Sequence, residues 1–108
     1  MSKNDFCIVY VTINRKNTAL EIAKKLIEEK LAACCTIISN VESVYFWEGK
    51  VQHDGELLMM IKSHLSKFSE LERIVSDIHP YEVPEIIAVP IAQGSKKYID
   101  WLDNTINK

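Results

Sequence analysis

Short apolar runs alternate with longer segments of helical periodicity along the 108 residues of the chain. The short runs are rich in β-branched and aromatic residues and end at polar or turn-forming positions, which is the pattern of buried strands. They predict strands at residues 6–14, 31–39, 56–62 and 85–91. The last run contains Pro90, which cannot donate a ladder hydrogen bond, so this strand is predicted at a sheet edge or a bulge.

Two helices are predicted where apolar residues recur three or four positions apart. Thr18 and Glu21 have the spacing of a capping box, so the first helix is predicted over residues 18–30. The apolar stripe predicted for it is Ala19, Ala23, Leu26 and Ile27. The second helix is predicted to begin at Ser66, a good N-cap residue, and to end at His79 because Pro80 follows.

The rest of the chain completes a recognisable order of elements. Residues 41–63 predict one long extended region, with a break at Ser39-Asn40 before it and turns or bulges at Glu48-Gly49-Lys50 and Asp54-Gly55 within it. Ser95 is predicted to cap a short C-terminal helix. The order β-α-β-β-α-β plus a helix is the α+β ferredoxin-like pattern, an antiparallel sheet with helices on one face, in a single domain spanning residues 1–108.

The predicted strands are apolar on both faces, although two helices can cover only one. In the first strand Phe6, Ile8 and Tyr10 point to one face, and the apolar residues between them point to the other. The later strands are likewise apolar on both faces. An uncovered face of this size would exceed the roughly few hundred Å² that monomers usually expose. We therefore expect a second copy of the chain to cover it.

Composition and charge exclude several classes of function. Thirteen basic against fifteen acidic residues give a net charge of −2, without the basic surplus of a nucleic-acid-binding domain. No stretch approaches the ~20 apolar residues of a membrane span, and the first residues lack the apolar core of a signal peptide, so a cytoplasmic location is predicted. Cys7, Cys34 and Cys35 are expected to be free thiols, the last two on opposite faces of a strand.

Candidate chemistry concentrates in the segment HPYEVPE, residues 79–85. Its prolines are explained by a helix stop and a strand start, but neither feature requires His79 or Glu85. The second helix separates His64 from His79 by roughly 20 Å, so these two residues cannot share a metal within one chain. With three glycines and no glycine-rich loop, a phosphate-cradling site is not predicted. A metal site would have to be assembled from distant segments or from two chains.

Several motifs in order resemble the CutA family over nearly the whole chain. They are LAAC (31–34), YFWEGK (45–50), HPYEVPEII (79–87) and YxxWL (98–102). The resemblance implies a homotrimer of ferredoxin-like subunits, similar in assembly to the PII signalling proteins. It also implies a non-enzymatic role in tolerance of divalent metal ions, copper especially, in which metal is a candidate ligand rather than a required cofactor.

The same resemblance implies candidate site residues. Cys34 and His79 match the cysteine and histidine of the family motifs and are candidate metal ligands, since thiolate and imidazole donors suit copper and zinc. A cleft between subunits would draw on Trp47, Glu56, Lys62, Tyr81 and Glu85. Cys35, at a position that is often valine in the family, adds a further soft donor.

Two other functions remain open from the sequence. A PII-like signalling trimer would bind a small ligand in the same clefts. An acylphosphatase-like hydrolase would use Arg15, after the first strand, to bind an anion, but the NRKN loop there lacks a glycine to bring backbone N–H groups around a phosphate. Fold analogy alone cannot choose among these functions.

Overall fold

The computed structural model describes residues 2–107. A 3-10 turn at Lys3–Asp5 leads into β1 (Phe6–Ile13), α1 (Lys16–Glu28), β2 (Cys34–Trp47) and β3 (Lys50–His64). A second 3-10 turn at Leu65–Lys67 precedes α2 (Phe68–Ile78), β4 (Ile86–Pro90) and α3 (Lys96–Asn107). Within residues 2–107, no helix is both long enough and apolar enough to cross a membrane.

The four strands form one sheet in the order β2-β3-β1-β4, and every neighbouring pair is antiparallel. This confirms the predicted α+β ferredoxin-like pattern. β4 lies at one edge, so Pro90 pairs with β1 on one side only and its missing N–H interrupts no central ladder. β1 and β3 are central, which explains why both are apolar on both faces.

The main core lies between α1, α2 and one face of the sheet. Alternate residues of β1, namely Cys7, Val9, Val11 and Ile13, are fully buried there. From α1 the buried side chains are Ala19, Ile22, Ala23 and Leu26. The predicted apolar stripe of α1 was therefore partly wrong. It included Ile27, which is 40% exposed, and omitted Ile22, which is fully buried. Ile22 follows Ala19 by three positions and so shares its face of the helix.

Helix α1 also begins earlier than predicted. Its first residue is Lys16, and Arg15 occupies the N-cap position without a side-chain cap. Thr18 therefore lies inside the first turn, and the predicted capping box was wrong. The connection from Ile13 is only two residues long, so the helix starts as soon as the chain has reversed over the sheet.

The two ends of α2 are set by histidines. The Nδ1 atom of His64 accepts a hydrogen bond from the Ser66 N–H at 3.1 Å, and the 3-10 turn that contains Ser66 precedes the helix. The predicted cap residue thus lies in this turn, two positions before the first helical residue, Phe68. At the other end His79 is extended, with ψ 135°, which confirms the predicted stop before Pro80.

A two-stranded arm extends beyond the four-stranded sheet. β3 pairs with β1 only from Leu57 to His64, whereas residues 50–56 pair with residues 41–47 of β2 alone. These two segments and the Glu48-Gly49 turn between them are called the arm below. Asp54-Gly55 lies inside β3 and forms neither a turn nor a bulge, so that expectation was wrong. The predicted break at Ser39-Asn40 is a bulge inside β2, marked by a register shift and a φ of 62° at Asn40.

The face of the sheet opposite α1 and α2, called the second face below, is only partly covered. Phe6, on this face by strand alternation, packs in a small cluster with Leu102 and Ile106 of α3. The terminal helix thus covers one end of the face that a second copy alone was expected to cover. Farther along the same face Ile38, Ile87 and Val89 are 43%, 51% and 44% exposed.

The arm depends on its tip, where Glu48 and Gly49 have φ values of 51° and 77°. Two positive φ values are the signature of the hairpin turn whose twist matches its strands. We predict that Gly49→Ala lowers the free energy of unfolding by about 1–2 kcal/mol, since a Cβ is disfavoured in this conformation. Urea denaturation checks this. Gly55→Ala is the matched control, because a Cβ there meets open space and φ is not positive; equal losses in both variants would refute the explanation.

Candidate functional site

An open cleft lies between the arm and the loop before β4. It has a volume of about 700 Å³ and is lined by residues of the ends of β1, β2 and β3 and of the segment 81–85. Four carboxylates line it, from Asp54, Glu56, Glu82 and Glu85. Among the described residues that line it there is no lysine, arginine, histidine or cysteine. The arrangement is therefore one that attracts cations and repels anions.

Strand alternation explains how the cleft acquires its acidic wall. Asp54 and Glu56 are two positions apart in β3, so they point to the same side of the arm. Glu56 stands where the arm leaves the four-stranded sheet and is only 9% exposed. Glu82 and Glu85 come from the opposite wall, in the loop that Pro80 and Pro84 hold out of helix and strand.

Two tyrosines donate hydrogen bonds to the carboxylates of the cleft. The hydroxyl of Tyr81 donates to Oε2 of Glu56 at 2.6 Å, which ties the loop to the arm. The hydroxyl of Tyr45 donates to Oδ2 of Asp54 across the two strands of the arm. Burial, followed by the bond to Glu56, raises the pKa of Tyr81 well above its ordinary value. The bond to Asp54 raises the pKa of Tyr45, so both phenols stay protonated as donors.

The structure brings together four of the five residues predicted for a cleft. Trp47, Glu56, Tyr81 and Glu85 all line it. Lys62 does not, because it lies six positions beyond Glu56 along β3, or roughly 20 Å at ~3.4 Å per residue. Its ammonium group donates to Oγ1 of Thr36 at 2.7 Å and lies 4.0 Å from Sγ of Cys34.

The two predicted metal ligands, Cys34 and His79, are not brought together within the chain. Cys34 pairs with Lys62 in the sheet, whereas His79 bonds to Thr12, which pairs with Leu58. Lys62 and Leu58 are four residues apart along β3, so the two candidate ligands lie roughly 13 Å apart along the sheet. Within residues 2–107 no group of three histidine, cysteine, aspartate or glutamate side chains could hold a metal ion.

Both ring nitrogens of His79 already have hydrogen-bond partners. Its Nε2–H donates to the carbonyl oxygen of Thr12 at 2.8 Å, and its Nδ1 accepts from the N–H of Tyr81 at 3.1 Å. The side chain is 7% exposed, and its ring packs edge-on against that of Tyr81 at 4.5 Å. In this arrangement the ring has no free lone pair for a metal. His79 instead anchors the loop that forms one wall of the cleft.

The three cysteines are free, as predicted. Cys34 and Cys35 pair with successive residues of β3 and so point to opposite faces of the sheet. Burial raises the pKa of Cys35 to about 11, and burial also raises that of Cys7 to about 11. Cys34 lies on the second face beside Lys62 and Tyr98, whose pKa is raised by burial and then by Cys34.

Sequence reasoning missed Asp54, Tyr45 and Glu82 as members of the cleft. Asp54 was interpreted with Gly55 as a turn, and that interpretation concealed the signal that could have found it. Asp54 and Glu56 alternate with nonacidic residues in an extended segment, which is the pattern of one acidic strand face. Glu82 had no such signal, because only the fold of the loop turns it toward the arm.

Comparison with known proteins agrees with this architecture. The ferredoxin-like sheet with a long hairpin arm defines the class of fold, and residues 7–105 match the family model described as "CutA1 divalent ion tolerance protein". The chain therefore belongs to the CutA family.

Individual relatives show how far the similarity extends. The "Divalent-cation tolerance protein CutA" of Thermus thermophilus is 46% identical over 99 residues, which cover 91% of this chain and 96% of that protein. "Protein CutA, chloroplastic" of Arabidopsis thaliana is 47% identical over 98 residues, 91% of this chain, which spans only 54% of the relative's length. The crystal structure of CutA1 from Oryza sativa superposes with a TM-score of 0.90 at 46% identity and covers 96% of both chains.

The bonding of His79 predicts a structural role that can be measured. His79→Ala would leave the Thr12 carbonyl and the Tyr81 N–H without their partner in a buried position. At about 1–3 kcal/mol for each unsatisfied group, we expect a loss of roughly 2–4 kcal/mol in the free energy of unfolding, measured by urea denaturation at fixed protein concentration. His53→Ala, at the exposed ion pair with Glu42 on the arm, is the control and should change stability little. A His79→Ala protein as stable as the control would contradict this role.

Proposed function

We propose that this protein acts in tolerance of divalent cations, as the names of its CutA relatives describe for them, and that it binds a divalent metal ion such as copper. The observation that carries the proposal is the cleft with four carboxylates and no basic side chain. Such a site concentrates cations from solution before any of them is coordinated. The metal is a ligand in this proposal and is not required for folding.

The proposed role is binding rather than catalysis. Among the described residues that line the cleft there is neither a histidine nor a cysteine, so a nucleophile paired with an imidazole base is absent there. A PII-like role in binding an anionic small ligand is the second candidate. The acidic lining supports it less well, because a phosphate or carboxylate would meet four like charges.

We propose that the working form is a homotrimer. The arm supports an assembly, because an isolated two-stranded hairpin is marginally stable in water. Its side that faces away from the cleft exposes Phe46 and Val51 at 71% and 72%. Together with the uncovered part of the second sheet face, this is more apolar surface than a monomer usually leaves in water. Three-fold closure follows the resemblance to the family.

The position of Lys62 supports a cleft that is shared between subunits. Lys62 lies roughly 20 Å from Glu56 in its own chain, so it could join the acidic cleft only from a neighbouring copy. Its ammonium has no carboxylate partner among the described residues. Cys34 would accompany it, and its thiol would add the soft donor that carboxylates alone do not provide for copper.

We place the protein in the cytoplasm. The three free thiols support a reducing compartment, since exported proteins commonly oxidise theirs. Relatives differ in this respect, because the Arabidopsis protein is named chloroplastic and the Archaeoglobus fulgidus structure is described as periplasmic.

The proposed assembly predicts a trimer in solution at micromolar concentration. Each large apolar side chain that is fully buried contributes about 1.5–3 kcal/mol, so covering the arm and the second sheet face should give slow dissociation. Sedimentation equilibrium measures the mass directly. Phe46→Glu, at a side chain 71% exposed in one chain, should dissociate the trimer, whereas Glu72→Gln on the exposed side of α2 should not. A wild-type protein that sediments as a monomer would disprove the assembly.

The proposed metal site predicts which substitutions weaken copper binding. Isothermal titration with Cu²⁺ at pH 7 should show an affinity loss of about tenfold or more, or ~1.4 kcal/mol, for Glu56→Gln and for Cys34→Ser. Glu72→Gln is the matched control for Glu56→Gln, and His79→Ala, if folded, should bind as the wild type does. Unchanged affinity in both Glu56→Gln and Cys34→Ser would mean that copper does not bind in the cleft.

A mixing experiment separates a shared site from a site within one chain. Co-expression of Glu56→Gln and Cys34→Ser chains places an intact Glu56 of one chain beside an intact Cys34 of another. If the site is shared, the mixed trimers should recover part of the copper binding that each variant alone has lost. If mixing recovers nothing, the site does not join these two residues across subunits.

A further inference from the structure

We infer that His79 is a pH-sensitive switch, which as a neutral imidazole holds the loop of residues 80–85 against the end of β1 and on protonation releases that loop. Residues of this loop form one wall of the cleft, so acid would widen the cleft. The inference concerns the chain without any metal and does not rest on the proposed function.

The two hydrogen bonds of the His79 ring require one protonation state. The carbonyl oxygen of Thr12 can only accept, so Nε2, at 2.8 Å from it, carries a hydrogen. The backbone N–H of Tyr81 can only donate, so Nδ1, at 3.1 Å from that nitrogen, carries none. The ring is therefore neutral. A proton added to Nδ1 would point at the Tyr81 N–H, and the bond between them would be lost.

The surroundings of the ring give an added proton no acceptor. His79 is only 7% exposed, and the Tyr81 ring packs edge-on against it at 4.5 Å. Within residues 2–107, Nδ1 has no hydrogen-bond partner other than the Tyr81 N–H. A buried N–H without an acceptor is unfavourable, so the imidazolium is not compatible with the loop in its present position.

Charged and titratable groups of the neighbouring elements do not change this conclusion. Tyr81 stays protonated, because burial and then its bond to Glu56 raise its pKa. None of the other groups is a hydrogen-bond partner of Nδ1, so none replaces the lost bond. These groups are Glu82 of the loop, Asp77 of α2 with its partner Arg73, Arg15 just after β1 and, through the Tyr81 hydroxyl, Glu56 of the arm.

Acid therefore shifts the loop toward release. The loop in place accepts only the neutral ring, whereas the released loop accepts either form, so a lower pH favours release. For a released imidazole with the ordinary value of ~6.5, the neutral fraction falls about tenfold between about pH 7.5 and about pH 5.5. The equilibrium constant for release should rise by the same factor over this range.

Hydrogen exchange of the Tyr81 amide, followed by NMR on the full-length protein with a metal chelator present, tests the switch. Its protection factor, in which the intrinsic pH dependence of exchange is removed, should fall about tenfold from about pH 7.5 to about pH 5.5. The Val9 amide in the central strand β1 should change far less. His79→Asn offers Tyr81 an amide oxygen in place of Nδ1 and does not titrate, so it should keep Tyr81 protected at both pH values.

The ring itself gives a second measurement for the case in which His79→Asn fails to fold. Nitrogen-15 NMR of the wild type should show a hydrogen on Nε2 alone near neutral pH, and the Nδ1 hydrogen should appear together with the loss of Tyr81 protection. Tyr81 protection that is the same at both pH values, full protection beside a protonated His79, or an equal loss in folded His79→Asn would overturn the inference. Local exchange is the right measure because His64 has equivalent bonds at the other end of α2, so global unfolding reports both histidines.

Discussion

The structure depends on the burial of both faces of one antiparallel sheet. β1 and β3 are central and apolar on both sides, so each face needs a cover. α1 and α2 cover one face and bury its centre, with Val9, Val11 and Ile61 at no exposure. α3 covers only the Phe6 end of the other face. The remaining apolar surface supports the proposed assembly, because monomers seldom expose a patch of this kind.

The arm follows from the same constraint and creates the cleft. β2 and β3 are 14 and 15 residues long, whereas β1 has 8 residues, so the hairpin continues after its neighbour has ended. Beyond that point one side of the arm is open to solvent, with Phe46 and Val51 largely exposed. The other side faces the loop before β4, and the bond from Tyr81 to Glu56 joins the two walls. The cleft is thus a consequence of unequal strand lengths.

The histidines show how a residue type can suggest one chemistry and serve another. His64 and His79 lie at the two ends of α2, and each accepts a backbone N–H from two residues ahead with its Nδ1 atom. Each also bonds through Nε2 to a backbone carbonyl near one end of β1, that of Ser2 or of Thr12. These bonds fix the helix and its flanking loops to the sheet. In the cleft, by contrast, Asp54 and Glu56 each accept a hydrogen bond from a tyrosine hydroxyl.

The sequence by itself determined the order of the elements, the antiparallel sheet, the edge position of β4 and the end of α2. Each of these depends on local rules, such as the period of apolar residues or the backbone limits of Pro80 and Pro90. The resemblance to family motifs also found four of the residues that line the cleft. The strand and helix pattern was predictable because neighbouring residues decide it, whereas the cleft residues came from the family motifs.

Only the tertiary structure decided which distant residues meet. It placed Lys62 far from Glu56 in the same chain, because both lie in one straight strand and strand length fixes their separation. In the folded chain both ring nitrogens of His79 are hydrogen-bonded, one to β1 and one to the following loop. Asn40 lies in a bulge and Asp54 lies within a strand. The physical reason is that hydrogen bonding and burial are satisfied between elements, so the chemistry of a side chain depends on partners that its own segment does not encode.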